Sequence, residues 1–138
     1  ALFARERGDA AGQVIDLSLF EPMAETAVLA SEELMHAATA VSGCGPAYYF
    51  AFTRALALAG MAEGLPEDVA VKLARATLRS AAAGVVGAEP LDALIDRVAS
   101  PGGVTQAGLV VLNENGALDR PVKGAVKAAV DKSTELSA

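Results

Sequence analysis

The hydrophobic positions of this chain recur mostly at helical spacing, in segments punctuated by glycine and proline. From Pro46 to about Glu63 almost every side chain is apolar, including Tyr48, Tyr49, Phe50, Phe52, Leu56 and Leu58; Thr53 and Arg54 interrupt the run. A helix that is apolar all round is expected to be central and buried by its neighbours. Pro46 suits its first turn, and Gly64 suits the C′ position that closes a helix. A second helix is expected from Pro66-Glu67-Asp68 to Gly84 and Gly87, with its acids in the first turn, where the dipole favours them. Val69, Leu73, Ala76 and Ala83 make its apolar face, and Lys72, Arg75 and Arg79 share a basic one. A solvated basic face is the ordinary meaning of such a stripe. Pro90 to Ala99 reads as a shorter helix with Leu91, Leu94, Ile95 and Val98 inward. Val104 to Asn113 reads as another, ending at Asn115-Gly116. The last helix starts near Asp119-Arg120-Pro121 and turns Val122, Val126, Ala129 and Val130 to its apolar side. Ahead of these, the pattern gives a strand in Ala1 to Arg5, a helix from about Ala10 to Met23 capped by Asp9, and a strand from Thr26 to Ala30. A short helix follows, from Ser31 through Ala40, broken by Gly43 and Gly45.

Composition agrees with a mainly α fold. The 138 residues fit one domain with a core of its own. They are 53% hydrophobic but only 4% aromatic, and alanine, the strongest helix former, supplies much of the apolar content. A mean hydropathy of +0.38 is high for a chain of this size, so part of the apolar surface is expected to pair with a second chain. The net charge of −6, the pI near 4.7 and the lack of a basic stripe with interleaved aromatics argue against a nucleic-acid partner. The run from Pro46 to Ala62 is short for a bilayer span, and Ala1-Leu2-Phe3-Ala4-Arg5 has no signal-peptide pattern, so no membrane partner is expected. One cysteine, Cys44, permits no internal disulfide and is compatible with a reducing cytoplasm. One cysteine and one histidine do not make a Cys/His metal site.

Most catalytic chemistries lack their residues. A Ser-His-Asp or Cys-His nucleophile needs a histidine base, and the sole candidate, His36, sits in a small-residue helical segment that suits packing. Gly43-x-Gly45 lacks the third glycine of a dinucleotide fingerprint and follows a helix rather than a strand. Gly103 to Gly108 has P-loop glycine spacing, but Leu109-Val110 stands where Lys-Ser/Thr belongs. What remains is the loop Val98-Ala99-Ser100-Pro101-Gly102-Gly103-Val104-Thr105. Gly103, Val104 and Thr105 offer N–H donors at a helix N-terminus, and Ser100 and Thr105 add hydroxyls. A hydrogen bond to a charged group contributes about 1.5–3 kcal/mol and a helix end about 0.3–1 kcal/mol, enough to hold a small carboxylate if the site is enclosed. The same residues also read as a plain helix–helix turn, with Thr105 as N-cap and Pro101 stiffening the bend.

Several segments, taken in order, resemble the pyrroline-5-carboxylate reductases. They are Glu33 to Tyr48 (Glu-Leu-Met-His-Ala-Ala-Thr-Ala-Val-Ser-Gly-Cys-Gly-Pro-Ala-Tyr), Ala59 to Pro66, the signature-like Leu94 to Leu109, and Asn115-Gly116-Ala117-Leu118 with the closing Lys132-Ser133-Thr134-Glu135-Leu136. The resemblance covers about residue 18 onward. Cys44 departs from it, standing where the family usually has serine.

The resemblance implies a helical dimerisation bundle like the C-terminal region of 6-phosphogluconate dehydrogenase, preceded by a short remnant of an α/β domain. Residues 1–30 would be the tail of the dinucleotide-binding domain and its connection, and residues 31–138 the helical dimerisation and substrate-binding domain. It implies reduction of 1-pyrroline-5-carboxylate to L-proline by NADPH or NADH, the cofactor being held mainly by a Rossmann domain whose glycine-rich turn is absent here. Ser100, Gly102, Gly103, Val104 and Thr105 would bind the substrate carboxylate, Thr105 also acting beside the ring nitrogen as the catalytic residue. Gly43, Cys44, Gly45 and Pro46 would pass near the nicotinamide. The implied partner is a second copy, with assembly as far as a decamer open, in the cytoplasm. The isolated chain would then lack reductase activity. A non-catalytic dimerisation module, or a related reductase of another small acid, fits the same helices.

Overall fold

In the computed structural model, residues 2–4 and 26–137 are described. The expected helix from Ala10 to Met23 and its Asp9 cap lie outside them. Among the described residues there are two short strands, six α-helices and a π-helical turn: β1 (Leu2–Ala4), β2 (Thr26–Val28), α1 (Leu34–Ala38), the π turn (Thr39–Gly43), α2 (Gly45–Ala62), α3 (Glu67–Gly84), α4 (Leu91–Val98), α5 (Val104–Asn113) and α6 (Asp119–Ser137). The chain divides into two compact units, residues 1–46 with 122–138, and residues 47–121.

In the first unit β1 and β2 pair in parallel, with Leu2 opposite Thr26 and Ala4 opposite Val28. The break expected at the glycines is present: after α1 the backbone widens into a π turn that ends at Gly43, closed by the Cys44 N–H donating to the Thr39 carbonyl at 3.0 Å, Cys44 forms a bend, and α2 begins at Gly45. Neither glycine has a positive φ. His36 on α1 meets Ser133 on α6, Nδ1 to Oγ at 2.9 Å, and both residues are half-buried.

In the second unit α2 and α3 form a helical hairpin. Gly64, at φ +95°, sits at C′. Leu65 N–H donates to the Gly60 carbonyl and Gly64 N–H to the Met61 carbonyl, each at 3.0 Å. This is a Schellman closure, and Leu65 completes it by packing its Cδ1 against Gly60. Pro66 then caps α3 with ψ 144°, and its carbonyl accepts the Ala70 N–H at 2.9 Å. Pro90 caps α4 in the same way. Asn115 (φ 52°) and Gly116 (φ 69°) form the left-handed bend between α5 and α6.

The packing departs from the sequence expectation in three places. Among the described residues the buried apolar side chains are all alanines: Ala40, Ala57, Ala70 and Ala74. On α3 the packed stripe is therefore Ala70 and Ala74, while Val69 and Leu73, expected inward, are exposed. Small side chains allow close helix approach, and that decides the face over bulk. On α4, Leu91, Ile95 and Val98 are exposed rather than inward, and on α6 Val122 is exposed while Val126, Ala129 and Val130 are half-buried. Helix α2, expected to be buried, leaves Tyr49 65%, Phe50 64% and Leu58 57% exposed.

Candidate functional site

The loop between α4 and α5 is a tight turn whose residues follow from its geometry. Ala99 leaves the helical range (φ −103°, ψ 74°) after its N–H bonds the Ile95 carbonyl at 3.0 Å. Ser100, Pro101, Gly102 and Gly103 then form a four-residue turn, with the Gly103 N–H donating to the Ser100 carbonyl at 2.9 Å. Proline second and a positive-φ glycine third (Gly102, φ +71°) is the pattern of a type II turn. Gly103 is needed for a different reason. Its φ of −83° suits any residue, but a Cβ there would run into the Ser100 side chain and stand 2.9 Å from the Ser100 carbonyl oxygen. The absent side chain lets Ser100 lie directly over the start of α5.

Gly103, extended at ψ 171°, is the N-cap of α5, and its carbonyl accepts the first helical N–H, from Ala107, at 3.2 Å. Thr105 is therefore the second helical residue and not the cap. The N–H groups of Val104, Thr105 and Gln106 precede that first bond and point out of the helix end. The Gly103 amide, expected to be open, is engaged: its N–H closes the turn, and beside it the Gly102 N–H donates to the Gln106 side-chain oxygen. Gln106 was not among the expected site residues. Its position three residues past the cap, where Glu or Gln commonly reaches back, is the signal that could have identified it.

Ser100, Gly102, Val104 and Thr105 are exposed and Gly103 is half-buried, so the amides at the head of α5 face outward. The arrangement offers two adjacent N–H donors, a serine and a threonine hydroxyl, and a helix dipole, which together suit one small anion. It offers no base and no nucleophile with a partner.

The other expected segment, Gly43 to Pro46, falls in the first unit. Gly43 and Pro46 are exposed, Cys44 is half-buried and Gly45 is buried. Ser42 anchors the π turn by donating its hydroxyl to the Ala38 carbonyl at 2.9 Å. A strand leading through a glycine-rich turn into a helix, the cradle for a dinucleotide phosphate, is not found among the described residues. No group of three His, Cys, Asp or Glu among the described residues could hold a metal ion, and no helix there is long and apolar enough to cross a membrane.

A groove of about 650 Å³ runs between α2 and α3. Phe50, Leu58, Met61, Val71 and Leu78 line it, with Arg54, Arg75 and Arg79 among them. None of the expected site residues borders it. Lys72, Arg75 and Arg79 are all exposed, as a solvated face requires, and Arg75 and Arg79 also border the groove.

The family model for pyrroline-5-carboxylate reductase dimerisation matches residues 32–136. The pyrroline-5-carboxylate reductase of Arabidopsis thaliana is 44% identical over 110 residues, covering 78% of this chain and 39% of that protein. That of Mycobacterium leprae is 42% identical over 123 residues, 76% of this chain and 42% of that protein. Among solved structures, the pyrroline-5-carboxylate reductase of Coxiella burnetii superposes with a TM-score of 0.81 at 32% identity, covering 97% of this chain and 50% of that one. The Plasmodium falciparum pyrroline carboxylate reductase, solved with NADP bound, gives 0.72 at 34% identity, covering 88% of this chain and 46% of that one. The chain thus spans half or less of the length of these relatives. With the family model matched over residues 32–136, the chain belongs to the pyrroline-5-carboxylate reductase dimerisation family.

Proposed function

We propose that this chain forms the dimerisation and carboxylate-binding part of an enzyme that reduces 1-pyrroline-5-carboxylate to L-proline with NADPH or NADH. The observation that carries this reading is the turn at Ser100–Gly103, which leaves the Val104 and Thr105 amides outward at the head of α5 in a chain of this family. The nicotinamide cofactor, bound mainly by another part of the protein, supplies the hydride to the imine carbon. The residues of this chain bind and orient. The Val104 and Thr105 N–H groups and the Ser100 hydroxyl hold the substrate carboxylate, while Gly102 and Gly103 shape the turn. The Thr105 hydroxyl lies beside the ring nitrogen, which must carry a proton for the imine carbon to accept hydride. A threonine hydroxyl is a weak acid, so its part is orientation or proton relay. Gly43, Cys44, Gly45 and Pro46 flank the nicotinamide, and residues 1–30 are the tail of the dinucleotide-binding domain.

The exposed apolar side chains of α2 support a second copy as partner, because water rarely meets contiguous apolar surface of this extent. Higher assembly up to a decamer and a cytoplasmic location go with the same reading. The test is turnover of pyrroline-5-carboxylate by the full-length protein, followed by nicotinamide absorbance, for the wild type and Thr105→Ala. Loss of one bond to a charged group lowers kcat/KM by about tenfold or more. Unchanged kinetics in Thr105→Ala remove that residue from the site; no turnover by the wild type removes the reading.

A further inference from the structure

Gln106 is the third residue of α5, and its side-chain oxygen accepts the N–H of Gly102 at the apex of the turn. Helices commonly use this position to reach back and bond the chain that enters them. Here the reach extends one residue beyond the cap, because Gly103 has no side chain and its N–H is already held by the Ser100 carbonyl at 2.9 Å. The bond ties the positive-φ residue of the turn to the helix it precedes.

The choice of glutamine over glutamate is informative. A glutamate would make a charge-assisted, stronger bond to the Gly102 N–H. The helix dipole would also favour its negative charge in the first turn. For capping alone, glutamate is the better residue. Its disadvantage arises only when a second anion occupies the same helix end, since two like charges within one turn repel and compete for the same donors.

We infer that Gln106 is a positioning and specificity-determining residue of the carboxylate loop: it fixes the apex of the turn with a neutral group and leaves the positive field of α5 to an anionic ligand. This rests on the reading above that the loop binds a carboxylate. The experiment compares the full-length wild type with Gln106→Glu and Gln106→Ala. It measures thermal midpoint, L-proline binding by calorimetry without cofactor, and steady-state kinetics. Gln106→Glu is expected to keep a thermal midpoint at or above wild type. Its L-proline Kd and pyrroline-5-carboxylate KM nevertheless rise about tenfold, a gap that narrows with added salt as the repulsion is screened. Gln106→Ala loses the tie without adding charge, so KM rises about threefold with no salt dependence. In both variants kcat and the KM for NADPH stay within about twofold of wild type, a split that a general loss of structure would not produce. An unchanged Kd and KM in Gln106→Glu, a rise insensitive to salt, or a thermal midpoint below that of Gln106→Ala overturns the inference. Failure of the underlying reading looks different: the wild type itself then neither binds L-proline nor turns over pyrroline-5-carboxylate.

Discussion

Replacing Gly103 by alanine is the sharpest perturbation of the turn. The added Cβ would meet the Ser100 side chain and stand 2.9 Å from the Ser100 carbonyl oxygen, closer than carbon and oxygen tolerate. The side chain can rotate away, but the carbonyl cannot, because it accepts the N–H of Gly103 itself at 2.9 Å. Relief therefore requires opening the turn. Forcing one methyl group into a filled space costs about 1–3 kcal/mol. That cost falls on the conformation that presents the Val104 and Thr105 amides. At 1.36 kcal/mol per decade, it lowers kcat/KM by roughly five- to 160-fold. The assay is steady-state kinetics of the full-length protein with pyrroline-5-carboxylate varied at saturating NADPH, with the loss expected in the substrate KM. Gly84→Ala is the control, since a Cβ at the end of α3 meets nothing within 4 Å and the residue has no positive φ. It should leave the kinetics unchanged and add about 0.5–1 kcal/mol of stability. A Gly103→Ala protein with kcat/KM within twofold of wild type would refute the argument.

Two further outcomes are expected elsewhere in the chain. Phe50→Asp places a charge on a side chain that is 64% exposed in the single chain, so the helix still folds but the second copy is repelled; light scattering at micromolar concentration should show a shift from dimer to monomer. Gly64→Ala demands φ near +95° of a residue with a Cβ, which costs about 1–2 kcal/mol; the thermal midpoint should fall while the substrate KM at low temperature stays at the wild-type value.

The helix boundaries were legible because they are written in backbone chemistry. Pro66 and Pro90 fix φ at helix starts, and Gly64 and Asn115-Gly116 supply the positive φ that follows a helix end, so these boundaries fall close to where the pattern puts them. The loop at Ser100–Thr105 was legible for the same reason, though the distinct duties of its glycines were not. Gly102 serves by its positive φ, and Gly103 by the space it leaves above Ser100; a sequence shows only that both are glycine. The packed face of α3 was misjudged because hydrophobic periodicity weights Val69 and Leu73 above Ala70 and Ala74, whereas close helix approach favours the smaller pair. The burial of α2 was misjudged because a pattern of apolar residues states that a surface avoids water, not which chain covers it. The break before α2 was legible in Gly43 and Gly45, which flank the bend at Cys44, whereas the π turn that leads into it, closed by the Cys44 N–H to the Thr39 carbonyl, was not. Gln106 escaped notice because a polar side chain on a helix is usually solvated, and only its bond to Gly102 marks it.

The most direct test is a crystal structure of the full-length protein soaked with L-proline. The account requires the proline carboxylate within hydrogen-bonding distance of the Val104 and Thr105 amides and the Ser100 hydroxyl. Proline bound with its carboxylate on any other part of the protein, and those amides facing solvent, would contradict it.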